Sequence, residues 1–172
     1  KSATLDSLLI QDFAITDQSG THIAKLPKLT QLEVFRCQGF GSQGVLALKG
    51  MKLTRLTLRD LPNVYDDGLA VLDDLPQLKR LFLHELSSVG DSGLSHVGKL
   101  SNLEQLDIWS VPQMTDATID VIAAVAPRWA EPVADGAWRL RMDPRHKGGH
   151  AVLYRREEAA ACWRNTTAPV ML

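Results

Sequence analysis

Apolar residues recur along the first part of the chain in one pattern, Leu-x-x-Leu-x-(Leu/Ile/Val), where x is any residue. The pattern opens five times, at intervals of 24, 24, 25 and 25 residues, with Leu5, Leu29, Leu53, Leu78 and Leu103. Another apolar residue follows each opening leucine by eight positions, and fifteen positions after it stands a glycine in four copies and Thr118 in the fifth. Agreement in this many columns over five copies indicates an internal repeat.

Each copy of the repeat predicts a strand, a turn and a helix. The x-Leu-x-Leu-x segment alternates with a period of two, which is typical of a short strand with one apolar face. Apolar residues then recur at helical spacing, as at Leu69 and Leu72. In three copies an aspartate precedes the helical part (Asp66, Asp91 and Asp116), and we expect its carboxylate to cap the N-terminus of its own helix.

A single strand–turn–helix unit is too small to cover its own apolar face. Neighbouring units must therefore stack, with the strands pairing in parallel on one side and the helices packing on the other. The sequence predicts an α/β solenoid.

The repeated motif resembles leucine-rich repeats over residues 5–126, most closely those of the ribonuclease-inhibitor-like and cysteine-containing branch found in F-box substrate receptors and bacterial tandem arrays. The resemblance rests on the Leu-x-x-Leu-x-Leu core and on Asp-x-Gly-Leu in the helical half. It implies a right-handed solenoid of about five repeats, with a parallel concave sheet and convex helices. The column that often holds Asn or Cys in that branch departs from it here, with Phe13, Cys37, Leu61, Leu86 and Val111.

The repeat ends near Pro127. A sixth copy would open at residue 128, but Arg128 stands there, and leucine falls from 23 residues before position 127 to 3 after it. The charge also changes, from 11 basic and 15 acidic residues (net −4) to 8 basic and 5 acidic (net +3). We therefore divide the chain into a repeat domain, residues 1–126, and a C-terminal segment, 127–172. Strand-like runs at 137–142 and 150–154 predict a capping hairpin, and a tail outside the repeat array is the alternative.

Composition narrows the class of protein. The 172 residues carry a net charge of −1 and a mean hydropathy of −0.08, so no overall field attracts nucleic acid or anionic membrane. No apolar run approaches the ~20 residues that span a bilayer. Cys37 and Cys162 are too few for a disulfide framework, and no signal-peptide core follows the first four residues, so we expect a cytoplasmic location.

The candidate binding residues alternate with the core leucines of the strands and so face outward from the predicted concave sheet. Stacking of the repeats aligns these positions into rows of large aromatic and arginine side chains, the types that dominate binding energy at protein interfaces. The sequence therefore predicts a non-catalytic module that binds a protein partner and requires no cofactor. The predicted contact residues are Phe35, Arg55, Arg59, Arg80, Phe82, His84 and Trp109.

Three alternatives stay open. The first is a regulatory or targeting fragment of a larger enzyme or a ubiquitin-ligase adaptor, although the sequence shows no F-box before the repeats. The C-terminal segment carries potential metal ligands in His146, His150 and Cys162, but zinc requires about four. Its basic residues, which include Arg155 and Arg156, make it a candidate for nucleic-acid binding. No motif for nucleophilic, phosphate-transfer or dinucleotide chemistry occurs in the sequence, which argues against an enzyme.

Overall fold

A computed structural model describes residues 4–125, 130–132 and 138–140 of the chain. Its main feature is a five-stranded parallel sheet in which the strands lie side by side in chain order. Each strand pairs with the equivalent five residues of the next repeat, so the predicted strands and their parallel pairing are confirmed. The strands are β1 (Ser7–Gln11), β2 (Gln31–Phe35), β3 (Arg55–Arg59), β4 (Arg80–His84) and β5 (Gln105–Trp109).

A helical segment follows each strand, as the apolar spacing predicts, and the fold is α/β. In the third repeat this segment is a 3₁₀ helix, and in the fourth a single α-helical turn continues into a 3₁₀ helix. The segments are α1 (Asp17–Ile23), α2 (Ser42–Leu46), the 3₁₀ helix Asp66–Asp74, α3 (Asp91–Leu94) with the 3₁₀ helix Ser95–Lys99, and α4 (Asp116–Val125).

The core lies between the sheet and the helical segments. It is built from the leucine columns of the repeat, and in the third repeat Leu53, Leu56 and Leu58 have no exposed surface. Burying each such side chain contributes roughly 1.5–3 kcal/mol. Cys37 belongs to the same core, where its thiol lies 3.3 Å from the carbonyl oxygen of Phe35.

The prediction that the aspartate caps its own helix is wrong for Asp66 and Asp91. Both are the first residues of their helical segments, and their carboxylates reach to the following repeat. Asp17, the first residue of α1, does the same in the first repeat. Asp17 Oδ1 accepts hydrogen bonds from the backbone N–H groups of Gly41 at 2.7 Å and Gly44 at 2.9 Å. The N–H groups of Gly41 and Gly44 at the start of α2 are thus satisfied by the preceding repeat rather than from within α2.

The same contact recurs along the array. Asp66 Oδ1 accepts from Gly90 N–H at 2.7 Å, and Asp91 Oδ1 accepts from Thr115 N–H at 2.8 Å. In the second repeat the Ser42 hydroxyl replaces the carboxylate and accepts from Tyr65 N–H at 3.0 Å. We call these contacts the inter-repeat caps.

In the C-terminal segment the structure describes two short strands, β6 (Ala130–Pro132) and β7 (Trp138–Leu140), which pair antiparallel. β7 lies within the predicted strand-like run 137–142. The second predicted run, 150–154, lies outside the described residues. The division of the chain at Pro127 stays a prediction. Within the described residues, no helix has the length and apolar character required to cross a membrane.

Candidate protein-binding face

One face of the sheet points away from the core, and we call it the open face. The strand register aligns its outward side chains into three rows across β1 to β5. The arginine row is Ser7, Gln31, Arg55, Arg80 and Gln105. The central row is Leu9, Glu33, Thr57, Phe82 and Asp107. The aromatic row is Gln11, Phe35, Arg59, His84 and Trp109. All seven predicted contact residues lie on this face, whereas their role in binding stays a prediction.

Arg59 lies at the centre of the aromatic row. Its guanidinium carbon is 4.4 Å from the ring centroid of Phe35 and 5.7 Å from that of Trp109. The His84 ring packs edge-on against Trp109, with a centroid separation of 6.1 Å. Contacts of this kind, each worth roughly 0.5–1 kcal/mol at exposed sites, hold the rings and the cation in one arrangement before any partner arrives.

The central row joins this cluster to the arginine row. Phe82 packs edge-on against His84 at 6.1 Å, and the guanidinium of Arg55 lies over the Phe82 ring at 4.9 Å. Six of the seven predicted residues therefore form one continuous chain of contacts. Arg80, the seventh, is exposed beside Arg55 on the neighbouring strand.

Charged residues beyond the strand ends contribute to the face, and the sequence analysis did not identify them. Glu85 directly follows β4 and forms an ion pair with Arg59, with Oε2 2.9 Å from Nε. Arg36 follows β2, and its Nε and Nη2 lie 2.5 Å and 2.8 Å from the two carboxylate oxygens of Asp12. The sequence does contain a signal for Arg36 and Glu85, because both occupy the same position of the repeat, directly after the residue of the aromatic row.

The residue that directly follows each strand of the sheet has an unusual backbone conformation. Each of these residues has a positive φ, between 48° and 59°, although none is glycine. The left-handed conformation ends the extended backbone of each strand. The residues are Asp12, Arg36, Asp60, Glu85 and Ser110.

Two buried polar atoms on the open face have no hydrogen-bond partner, and they are the only side-chain atoms of this kind among the described residues. They are Thr57 Oγ1 and His84 Nε2. Thr57 is only 5% exposed, and it lies in register with Phe82 of the neighbouring strand. His84 Nε2 lies 3.4 Å from Asp107 Oδ1, an ion-pair contact when the ring is protonated. A buried polar group left unpaired costs roughly 1–3 kcal/mol, so the face is not optimised for the stability of the isolated chain.

Acid is expected to weaken the fold through carboxylates that are strongly hydrogen-bonded. The hydroxyls of Thr115 and Thr118 and the Thr115 backbone N–H lower the pKa of Asp91 from 3.8 to about 2. The guanidinium of Arg36 similarly lowers the pKa of Asp12 to about 2. Because these pKa values are lower in the folded chain than in the unfolded chain, the carboxylates stabilise the fold above about pH 4. We expect that contribution to disappear as the pH falls from about 4 to about 2.

Urea unfolding midpoints measured between pH 5 and pH 2 test this expectation. Asp91→Asn keeps the shape of the side chain but removes the titrating group, so its midpoints fall less steeply over the same range. A wild-type midpoint that stays constant from pH 5 to pH 2 would contradict the expectation.

The described residues contain no group of three or more His, Cys, Asp or Glu side chains arranged to hold a metal ion. The potential ligands His146, His150 and Cys162 lie outside the described residues, as do the basic residues Arg155 and Arg156. The open face is therefore the site that the structure describes best.

Comparison with known proteins finds a likeness in structure and none in sequence. No protein family model matches the chain, and no curated protein sequence matches it. Among solved structures, the chain is similar to one titled Leiomodin-1 Actin-Binding Site 2, with a TM-score of 0.52 and 10% sequence identity. The match covers 74% of this chain and 82% of that chain. The likeness is one of fold alone.

Proposed function

We propose that residues 1–126 form a right-handed leucine-rich-repeat solenoid of five repeats, and that this solenoid is a non-catalytic protein-interaction module. The open face is its concave, partner-binding surface, and residues 127–172 form a separate C-terminal segment. The five in-register parallel strands and the period of 24–25 residues support the solenoid. The likeness to a structure whose title names an actin-binding site supports protein binding as a use of this fold.

The observation that carries the proposal is the cluster around Arg59. Trp109 is 53% exposed although it is the largest side chain of the aromatic row, and its neighbours Arg59 and His84 hold it from one side. Trp, Tyr and Arg supply most of the binding energy at protein interfaces. Because these side chains project from a rigid sheet, a partner does not need to order them, which lowers the entropic cost of association.

Quantitative affinity capture from the native source tests the proposal. The wild-type chain is compared with the double variant Arg59→Ala/Trp109→Ala and with the control Tyr65→Ala. Tyr65 is 52% exposed but lies outside the open face, so the control removes an equally exposed aromatic side chain. Loss of two central anchors is expected to weaken the specific partner about 30-fold or more.

The expected result is a partner that is recovered with the wild type and with Tyr65→Ala and lost with the double variant. Circular dichroism and thermal unfolding must show that the double variant stays folded. If every recovered protein binds the folded double variant as well as it binds the wild type, the open face is not the binding surface.

A further inference from the structure

The arginine row contains two positive charges that no carboxylate among the described residues neutralises. Arg55 and Arg80 are directly paired in the register of β3 and β4, on strands about 4.8 Å apart. Among the residues that the structure describes, neither guanidinium forms an ion pair with a carboxylate. Among the other described lysines and arginines of the domain, Arg36, Lys49, Arg59, Lys79 and Lys99 form such pairs, whereas Lys25, Lys28 and Lys52 do not.

Like charges placed opposite each other on neighbouring strands destabilise a sheet. The neighbours in the arginine row do not relieve this repulsion, because Gln31 and Gln105 on either side are uncharged. The stacking of Arg55 on Phe82 fixes one guanidinium plane on the open face. A fixed guanidinium presents its N–H groups as a fork that matches the two oxygens of a carboxylate.

Thr57 adds a second and independent observation. It lies two residues beyond Arg55 on the same strand and therefore on the same face. Its hydroxyl is buried without a hydrogen-bond partner among the described residues, whereas the other buried threonine, Thr118, donates to Asp91. A hydrogen-bond donor thus lies unused beside two unpaired cations.

We propose that the arginine row recognises carboxylates of the protein partner, in an extended segment that carries Asp or Glu at alternate positions. This inference rests on the proposed function and names the chemistry of the partner. In an extended chain, residues two apart point the same way and lie about 6.6 Å apart, which the long side chains of Arg55 and Arg80 can span. An apolar side chain of the same partner packs on Phe82, and the Thr57 hydroxyl donates to the nearer carboxylate.

Acidic groups on the same face favour a short acidic peptide over a nucleic acid. Glu33 and Asp107 lie in the central row, and Glu85 lies beyond the aromatic row. A nucleic acid carries a phosphate on every nucleotide, so its binding would place phosphates against these carboxylates. A segment with only two or three carboxylates places them at the arginine row alone.

Selection of random 12-residue peptides displayed on phage, with the full chain as bait, tests the inference. Selected sequences are then synthesised, and their affinities are measured by fluorescence anisotropy for the wild type and for Arg55→Gln/Arg80→Gln. The control Lys25→Gln/Lys28→Gln removes the same charge from exposed positions between α1 and β2. A single-stranded oligonucleotide is titrated in parallel.

We expect the selected peptides to be enriched in Asp and Glu at alternate positions. Their affinity falls about tenfold or more for Arg55→Gln/Arg80→Gln and for peptides with Glu replaced by Gln, but stays unchanged for the lysine control. Thr57→Val is expected to bind the peptides more weakly than the wild type while unfolding at a higher temperature, because it removes an unpaired hydroxyl.

The other outcomes separate the two proposals. Peptides without acidic enrichment whose binding still requires Trp109 overturn the inference and leave the proposed function standing. Tighter, Arg55-dependent binding of the oligonucleotide also overturns it. If no peptide is selected, or if the selected peptides bind independently of both arginines, the inference fails, and affinity capture with Arg59→Ala/Trp109→Ala decides the proposed function separately.

Discussion

Replacing Phe40 by alanine is expected to lower the free energy of unfolding by about 3–5 kcal/mol. The ring is completely buried, and it packs against Gly44 in α2, where an added Cβ would lie 2.8 Å from Phe40 Cε2. The substitution removes apolar contacts and leaves a cavity between the sheet and the helix, because the tightly stacked repeats on either side restrict collapse. A domain of this size has a total stability of only about 5–15 kcal/mol, so the loss is a large part of it.

Urea denaturation followed by far-ultraviolet circular dichroism measures this loss. Phe13→Ala is the matched control, since the same side chain is removed from a position that is 65% exposed, and it should change the stability by less than about 0.5 kcal/mol. Equal effects of the two substitutions would mean that Phe40 is not part of the core.

Gly20→Ala is expected to destabilise the stacking of the first two repeats by about 1–3 kcal/mol. A Cβ at Gly20 would lie 2.2 Å from the carbonyl oxygen of Gly44, so α1 and α2 would have to move apart. That movement also weakens the inter-repeat cap from Asp17 to the backbone of Gly44. Asp17 lies in α1 and Gly44 in α2, so moving the helices apart lengthens this 2.9 Å hydrogen bond. The obstacle is backbone rather than a flexible side chain, so local adjustment cannot remove it.

The comparison with Gly90→Ala shows whether close approach is the cause. A Cβ at Gly90 would have its nearest neighbours at 3.5 Å, an ordinary contact, and its φ of −126° suits any residue. Thermal unfolding of the two variants should show a clear loss for Gly20→Ala and a small change for Gly90→Ala. A larger loss for Gly90→Ala would argue against tight helix stacking as the reason for the glycine column.

Much of the fold could be predicted from the sequence because the repeated pattern of leucines determines both where the strands lie and how they pair. The leucines of the repeat specify the strands, and the constant interval specifies the register that places Arg59 beside His84. The seven predicted contact residues followed from alternation along the strands together with the type of side chain at each outward position. Such arguments depend only on spacing, which the sequence shows directly.

The details that escaped prediction depend on contacts between repeats. An aspartate at the start of a helix signals a cap, but the sequence does not show that the N–H groups of the following repeat lie nearer to Asp17 than those of its own helix. The pairing of Arg59 with Glu85 joins residues 26 positions apart and needs the left-handed turn after β4. Thr57 has an outward position in the pattern yet is buried, because it is short and stands between the long side chains of Arg55 and Arg59.

The inter-repeat caps give the array a direction. Each acceptor belongs to the unit made earlier in synthesis, and each donor belongs to the unit made later. Because a ribosome delivers the N-terminal units first, each helical segment after α1 leaves it when the acceptor oxygen of the preceding unit has already been made. In folding from the opposite end, the first N–H groups of those segments would stay bonded to water until the preceding unit folded.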